Sequence, residues 1–387
     1  MSFLRRLSTR SLLVLLAVVA AVAIGGAAIA VAAGGSGSPP PPKPLDQAIQ
    51  DARTASPPQG VTARVKFTNN LFPSGALLGQ ATSALLSGAS GRLWMTNDGA
   101  GRIELQSDAG DVQIVWNDKT ISVYDASSNT VYRADLPAAT QTQSGAPAHA
   151  APTLADIDSF LTDLGVHWAV STAQPTVVGG QSAYSASVAP KHDGGLLGSV
   201  DLAWDAVQGV PLRLAINAQG SGSPALALTV KNIRYGPVAS SDVDIASPAG
   251  AKVVDLATPT APAGGHETPA VTGLDAVQAA ADFPVTAPDS LVGLPRRDVR
   301  LIGGDTAIAF YGEGLGGIVL VERKADAGTS GNSAMAALPS VSLDGVSAHE
   351  LATELGTVLQ WQSGGTTFVL AGSQPPAAAE AAARAVK

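Results

Sequence analysis

The sequence predicts an α+β fold built on an antiparallel sheet, and three patterns carry that reading. From Gly91 to Leu136 apolar residues recur at every second position: Ile103 and Leu105, then Val112, Ile114 and Trp116, then Ile121 and Val123. A period of two places them on one face of pleated strands. Between the runs stand Asn97-Asp98-Gly99, Ser107-Asp108-Ala109-Gly110, Asn117-Asp118 and Ser127-Ser128-Asn129, residues that accept tight or left-handed turns. Short helical patterns flank this meander, with Leu45, Ala48, Ile49 and Ala52 ahead of it and Leu154, Ile157, Leu161 and Leu164 behind it. A sheet with one apolar face has to cover that face, so the helices are expected to lie over it.

In chain order, residues 11 to 33 carry no charge and follow Arg5, Arg6 and Arg10. As a helix they would extend about 35 Å, enough to span a bilayer. The preceding arginines keep the N-terminus cytoplasmic and export the rest, which reads as an uncleaved signal anchor; Ala30-Val31-Ala32 leaves cleavage as the alternative. Residues 34 to 44, GGSGSPPPPKP, form a linker that is flexible in its Gly/Ser half and extended in its proline half, expected to hold a domain off the membrane. After the Leu45 helix, Val61, Ala63, Val65 and Phe67 alternate with polar residues as the first strand. A long connection follows, carrying Phe72, Leu77, Leu78, Leu85 and Leu86, and reads either as a short helix packed on the core or as a lid.

Behind the meander, Thr153 and Asp156 form a capping-box-like start to the second helix, with Gly165 as its stop. Further strands follow through Val200, Leu202 and Trp204, through Leu212, Leu214 and Ile216, and through Leu226, Leu228 and Val230. Residues 257 to 270, ATPTAPAGGHETPA, mark an interdomain linker. The remainder contains strands at 306 to 311, 318 to 322 and TTFVLAG. Ser347 to Glu350 reads as the capping box of a helix through Leu351, Leu355 and Val358. Pro375-Pro376 open a final helix in which Glu380 and Arg384 are an i,i+4 pair. The organisation is therefore an anchor (1–33), a linker (34–44), a sheet domain (45–256), a second linker (257–270) and a smaller α+β domain (271–387).

Composition narrows the function. There is no cysteine, which removes disulfides, thiolate metal sites, thiol nucleophiles and a lipid-modified cysteine. Asp and Glu outnumber Lys and Arg by 31 to 23, which disfavours nucleic acid as a partner. Gly312 to Gly317 matches GxGxxG, but a strand rather than a helix follows it, so it reads as a hairpin turn. His349-Glu350 lacks the second histidine of a zinc protease motif, because position 353 is Thr. The five histidines have no metal-ligand spacing and no catalytic constellation emerges, so the expectation is a non-enzyme without cofactor or metal.

The Leu45 helix, the VTARVKF strand, the long gap and GRIELQSDAGDVQIVWNDKTISVYDASSNTVYRADLP together resemble the LolA-type outer-membrane lipoprotein carriers and the related RseB/MucB-type sigma-E regulators, over about residues 45 to 240. The resemblance implies a curved, half-barrel antiparallel sheet closed by helices around an apolar cavity that accepts acyl chains. Under it, the large residues expected to line the cavity or its lid are Phe72, Leu77, Leu78, Trp94, Trp116, Leu161, Leu164 and Trp204. Leu196 and Leu197, in a glycine-rich loop, are a further lipid-handling pair. The expected ligand is a lipid or acylated protein, handled at the cell membrane by a chain whose bulk is extracytoplasmic. The alternative is a regulator that binds an envelope membrane protein such as an anti-sigma factor, with lipid as a signal.

Overall fold

The computed structural model describes residues 37–72, 84–136, 154–256, 271–325 and 338–386. The apolar segment 11–33, Leu77 and Leu78, Thr153, and the linker 257–270 lie outside these residues. So does the side chain of Asp156.

The alternating patterns become two open sheets. The first has thirteen strands, in the spatial order β13-β6-β5-β4-β3-β2-β1-β12-β11-β10-β9-β7, with β8 paired to β9 off that path. Its meander is β2 (Ala89–Thr96), β3 (Gly101–Ser107), β4 (Gly110–Trp116), β5 (Thr120–Asp125) and β6 (Thr130–Asp135), each antiparallel to the next. β1 (Gly60–Asn69) pairs with both β2 and β12 (Pro224–Tyr235), joining the meander to β7 (Trp168–Val170), β8 (Gln174–Val178), β9 (Gln181–Pro190), β10 (Leu197–Asp205) and β11 (Pro211–Ala218). β13 (Lys252–Leu256) runs parallel to β6 at the far edge. The core of this sheet is the inner face foreseen from periodicity: Val61, Ala63, Val65 and Phe67 against Ile103, Leu105, Ile114 and Trp116.

Helices are few among the described residues. α1 (Leu45–Thr54) packs Ala48 against Tyr184 and Trp204, while α2 (Ala84–Ser87) sets Ala84 and Leu85 on the meander's inner face. α3 (Leu154–His167) runs through Gly165 instead of stopping there and ends where β7 begins. It buries Ile157 but leaves Phe160 and Val166 mostly exposed, so it covers little of the sheet. α4 (Ser240–Val243) is a single turn after β12.

The second sheet has nine strands, in the order β14-β16-β17-β18-β22-β21-β20-β19, with β15 paired to β16 off that path. After β14 (Val271–Thr272), α5 (Leu274–Ala280) and β15 (Ser290–Leu291) come β16 (Leu294–Ile302), β17 (Thr306–Tyr311), β18 (Ile318–Lys324) and β19 (Ser340–Leu343). The helix expected from Ser347 is instead β20 (Val346–Thr353), turning into β21 (Gly356–Ser363) and β22 (Thr366–Gly372). The reason lies in Leu351, Leu355 and Val358, whose spacing reads as helical. The β20–β21 pairing sets Ala348 opposite Trp361 and Glu350 opposite Leu359, and buries Ala348, Leu359 and Trp361 in the core, a gain no helix face offers. α6 (Pro376–Arg384) closes this core with Ala379, Ala382 and Ala383, and Arg384 Nη2 bonds Glu380 Oε2 at 2.6 Å, the pair read from the sequence.

Candidate ligand-binding face

Strand register sorts the expected cavity residues onto different surfaces. Met95 pairs with Gly101 and Gly101 with Trp116, so Trp116 shares the inner face with Met95; Trp94, one residue earlier, points the opposite way. There the Arg102 guanidinium lies 4.3 Å from the Trp94 ring centre and also donates to Asp242 O. Trp94 therefore cannot line a cavity with Trp116. Nor is Trp116 open: its indole covers Gly101, where a Cβ would collide with the ring, and its Nε1–H donates to Gly99 O at 3.0 Å. Trp204 is also core, held beneath α1 with Tyr184 and Ala173. Phe72 packs on the cluster of Leu71, Ala218 and Ala225, against which Leu355 of the second sheet also packs, making it part of a contact between sheets.

Leu161 alone among the proposed lining residues that are described borders a depression, of about 450 Å³, with Leu45, Trp168, Val170 and Lys191 between α1, α3 and β7. Leu164 is half-buried on the same helix. Lys191 Nζ donates to Gly165 O at its rim.

Beside this depression lies an apolar surface that the sequence reading divided among separate strands. Ala186, Leu202, Leu214, Leu228 and Phe67 are successive cross-strand partners and form one unbroken row. A second row, two residues along each strand, runs Val170, Val188, Val200, Ile216 and Leu226. Period two puts both rows on the face that Phe67 buries. Phe67 is buried at one end, yet Leu202 is 37 % exposed, and Leu214, Ile216, Leu226, Leu228, Val188 and Val200 are only half-buried. On β3, β4 and β5 the equivalent apolar positions are buried, whereas across β9 to β12, as at Leu93 and Met95 on β2, they are left partly open; a contiguous open apolar patch is the common signature of a binding surface. The opposite face there is polar: Asp201 accepts from Ser187 Oγ, Ser199 Oγ and Asn217 Nδ2, with Arg213 at 3.6 Å. Burial would raise the Asp201 carboxyl, but these donors outweigh it and hold the group below the usual range.

The loop between β9 and β10 forms part of a joint with the second sheet. Asp193 and Gly195 take left-handed φ of 52° and 59°, and the loop seats against the second sheet. Asp193 O accepts from Gly316 N, and Leu196 N donates to Ser373 Oγ at 2.9 Å, while Glu354 N donates to Leu71 O at 2.9 Å. The glycine-rich segment read as a hairpin turn does connect antiparallel β17 and β18. Its glycines have a second use, since a Cβ on Gly314 or Gly316 would come within 3.0 Å of Asp193 O. At Gly195 a Cβ would collide with Ser373. Gly195→Ala is accordingly expected to open this joint and raise the radius of gyration in solution scattering, with both sheets still folded; an unchanged radius would contradict it.

No catalytic arrangement accompanies the open face among the described residues, and no group of three or more metal-ligating side chains occurs among them. The buried acids serve the fold. Asp205 caps its own turn through Val207 N and Gln208 N at 2.8 Å and accepts from Tyr235 Oη at 2.6 Å; burial, then that carboxylate, push the phenol pKa upward.

No protein-family model and no curated protein matches the chain. Solved structures do. In structure the chain is similar to MucB. The crystal structure of MucB in complex with MucA(peri) matches with a TM-score of 0.41 and 15% identity, covering 89% of this chain and 97% of that one. The Pseudomonas aeruginosa MucA/MucB complex matches at 0.40 and 15%, covering 88% and 95%. A domain described as that of an outer membrane lipoprotein-sorting protein, from Vibrio parahaemolyticus, matches at 0.24 and 9%, covering 51% and 95%.

Proposed function

We propose that the chain is a non-enzymatic, membrane-anchored extracytoplasmic binding protein that takes an acyl chain or a lipidated molecule on the open apolar face of its first sheet. The observation that supports this is the double row from Ala186 to Leu228 and from Val170 to Leu226, half-exposed in a sheet whose apolar inner positions on β1 and β3 to β5 are buried. Burying an acyl chain there would gain about 0.8 kcal/mol per methylene. At one end Lys191, Asp158 and Thr162 border the depression beside Val170, so a ligand with a polar head and an apolar tail matches the surface.

Native mass spectrometry with organic extraction of the chain, purified from an exporting host, tests this. A stoichiometric lipid is expected, and Leu202→Glu with Leu214→Glu is expected to lose it while remaining folded, because Leu202 is already 37 % exposed. A lipid-free chain that takes up no added lipid would overturn the reading.

A regulator of an envelope membrane protein is the second reading. It is favoured by the joint at Asp193, Leu196 and Ser373, which fixes a second sheet domain against the end of the first and offers a composite surface to a protein partner.

A further inference from the structure

The place where the described chain begins bears on how the first sheet domain is oriented. Gly37 lies at the β8–β9 turn, within 3.7 Å of Gly180 O and 3.8 Å of Val177 Cγ1 for a Cβ built on it. The proline stretch then runs along the domain: Ser38 O accepts from Ser182 Oγ and Pro41 O from Tyr184 Oη, both at 2.6 Å. The linker expected to hold the domain at a distance is therefore docked on it from Ser38 onward. Between Ala33, the last residue of the apolar segment, and Gly37 the chain reaches about 14 Å at full extension. A domain tethered this closely cannot stand away from a bilayer that the segment crosses.

We infer that the corner formed by the β8–β9 and β10–β11 turns rests on the membrane surface, and that this surface is anionic. The inference rests on the anchor in the reading above. At this corner Val207, in the β10–β11 turn, is 58 % exposed and Val177, near the end of β8 and paired with Ser182, is 36 % exposed; Ala206 N donates to Ser182 O, which brings the two together. Gly209, in the same turn, abuts Ala52, which places exposed Arg53 beside them. Val230 lies under Gly179, and the adjoining Lys231 and Arg234 are exposed. Arg53, Lys231 and Arg234 have no ion-pair partner among the described residues, in a chain whose formal net charge is −8. Apolar tips with unpaired cations on the neighbouring segments match a headgroup layer carrying negative charge. The joint with the second sheet sits at the other ends of β9 and β10, so the nine residues of β10 would hold the second domain about 30 Å from the surface.

The absence of cysteine makes single-cysteine labelling clean. The full chain, carrying V207C or, as a control in the second domain, V292C, is labelled with a fluorophore. It is then reconstituted in nanodiscs of phosphatidylglycerol and phosphatidylcholine containing a headgroup nitroxide. Quenching at position 207 is expected to exceed that at 292 by about threefold or more, and to fall in K231E/R234E and in phosphatidylcholine alone. Carbonate extraction of the same samples reports the anchor independently. A retained chain with equal quenching at 207 and 292 overturns the docked corner alone. A chain released by carbonate overturns the anchor and the corner with it, and quenching indifferent to lipid charge overturns the anionic surface.

Discussion

Trp116→Ala is expected to destabilise the first sheet by about 3–5 kcal/mol, the range for deleting a buried large aromatic. The side chain is 6 % exposed in the inner core. Its ring fills the space over Gly101, whose missing side chain is what admits it, so no neighbour can move in when the indole is removed. The Gly99 carbonyl, in the turn before β3, loses its donor as well. Against a typical domain stability of about 5–15 kcal/mol, that loss is large. Trp94→Ala makes the contrast: its ring faces outward under the Arg102 guanidinium, and losing that contact costs about 0.5–1 kcal/mol. Urea unfolding of the two variants checks both, and equal midpoints would contradict the assignment of the two residues to opposite faces. Trp116→Glu is thus a folding lesion rather than a test of ligand contact, and Leu202 and Leu214 are the positions where a charge tests binding.

The contrast also shows what the sequence made legible. Alternation located the meander, its inner face and the turns, because a two-residue period in a half-buried sheet is written directly into hydrophobicity. Size was the wrong guide to the binding surface. Trp94, Trp116 and Trp204 drew attention as large residues, but large aromatics are buried wherever packing permits, and here two are core while the third faces the other way. The open face is made of Leu, Ile and Val spread over β9 to β12, and no single strand reveals it. It exists only once the cross-strand registers align Leu202, Leu214 and Leu228. The joint between sheets was hidden for a related reason. Gly195, Gly314 and Gly316 read as loop glycines, while the approach that demands them comes from segments distant in sequence. The β20–β21 hairpin is hidden in the sequence because Leu351, Leu355 and Val358 fit a helical period by coincidence, and a lone Gly356, the residue at which β21 begins, is the turn's one glycine.

The second sheet is expected to lose stability as pH rises from about 4.5 to about 7, chiefly through one residue, with Glu350, raised by burial and then by Glu380, adding in the same sense. Glu322 on β18 is 1 % exposed, between Ala307 and Phe368 on the neighbouring strands. Its Oε2 accepts from Thr286 N at 2.7 Å, which pins the 281–289 strap over the sheet; Oε1 has no hydrogen-bond partner among the described residues. Burial pushes the carboxyl pKa up to about 7 from 4.5, and the single N–H donor only partly offsets this. The sign follows from which state gives up its proton first. Below pH 4.5 the group is protonated in both states. Above it the unfolded chain ionises while the folded chain holds its proton until about pH 7, so each pH unit between favours unfolding by about 1.4 kcal/mol. The full loss is about 3 kcal/mol and is complete above the folded pKa. Glu322→Gln keeps an acceptor for Thr286 N and carries no charge, so it is expected to abolish this slope and to be the more stable protein at about pH 8. Pulsed hydrogen exchange of β18 and β22 peptides along urea gradients, at about pH 5 and about pH 8, reads this sheet separately from the first. A midpoint in the wild type that does not fall between those pH values, or a Glu322→Gln variant with the same slope, would show that the buried carboxyl is not what sets it. The strap held by Glu322 also carries Asp289, paired with Arg296 at 2.9 Å, and Asp282, paired with Lys324 at 3.2 Å. These ion pairs are exposed on their acidic side and contribute little. The strap is held besides by Arg296, whose guanidinium donates to Ala287 O, by Gln278 Nε2, which donates to Val285 O at 3.0 Å, and by the burial of Phe283, Val285 and Ala287.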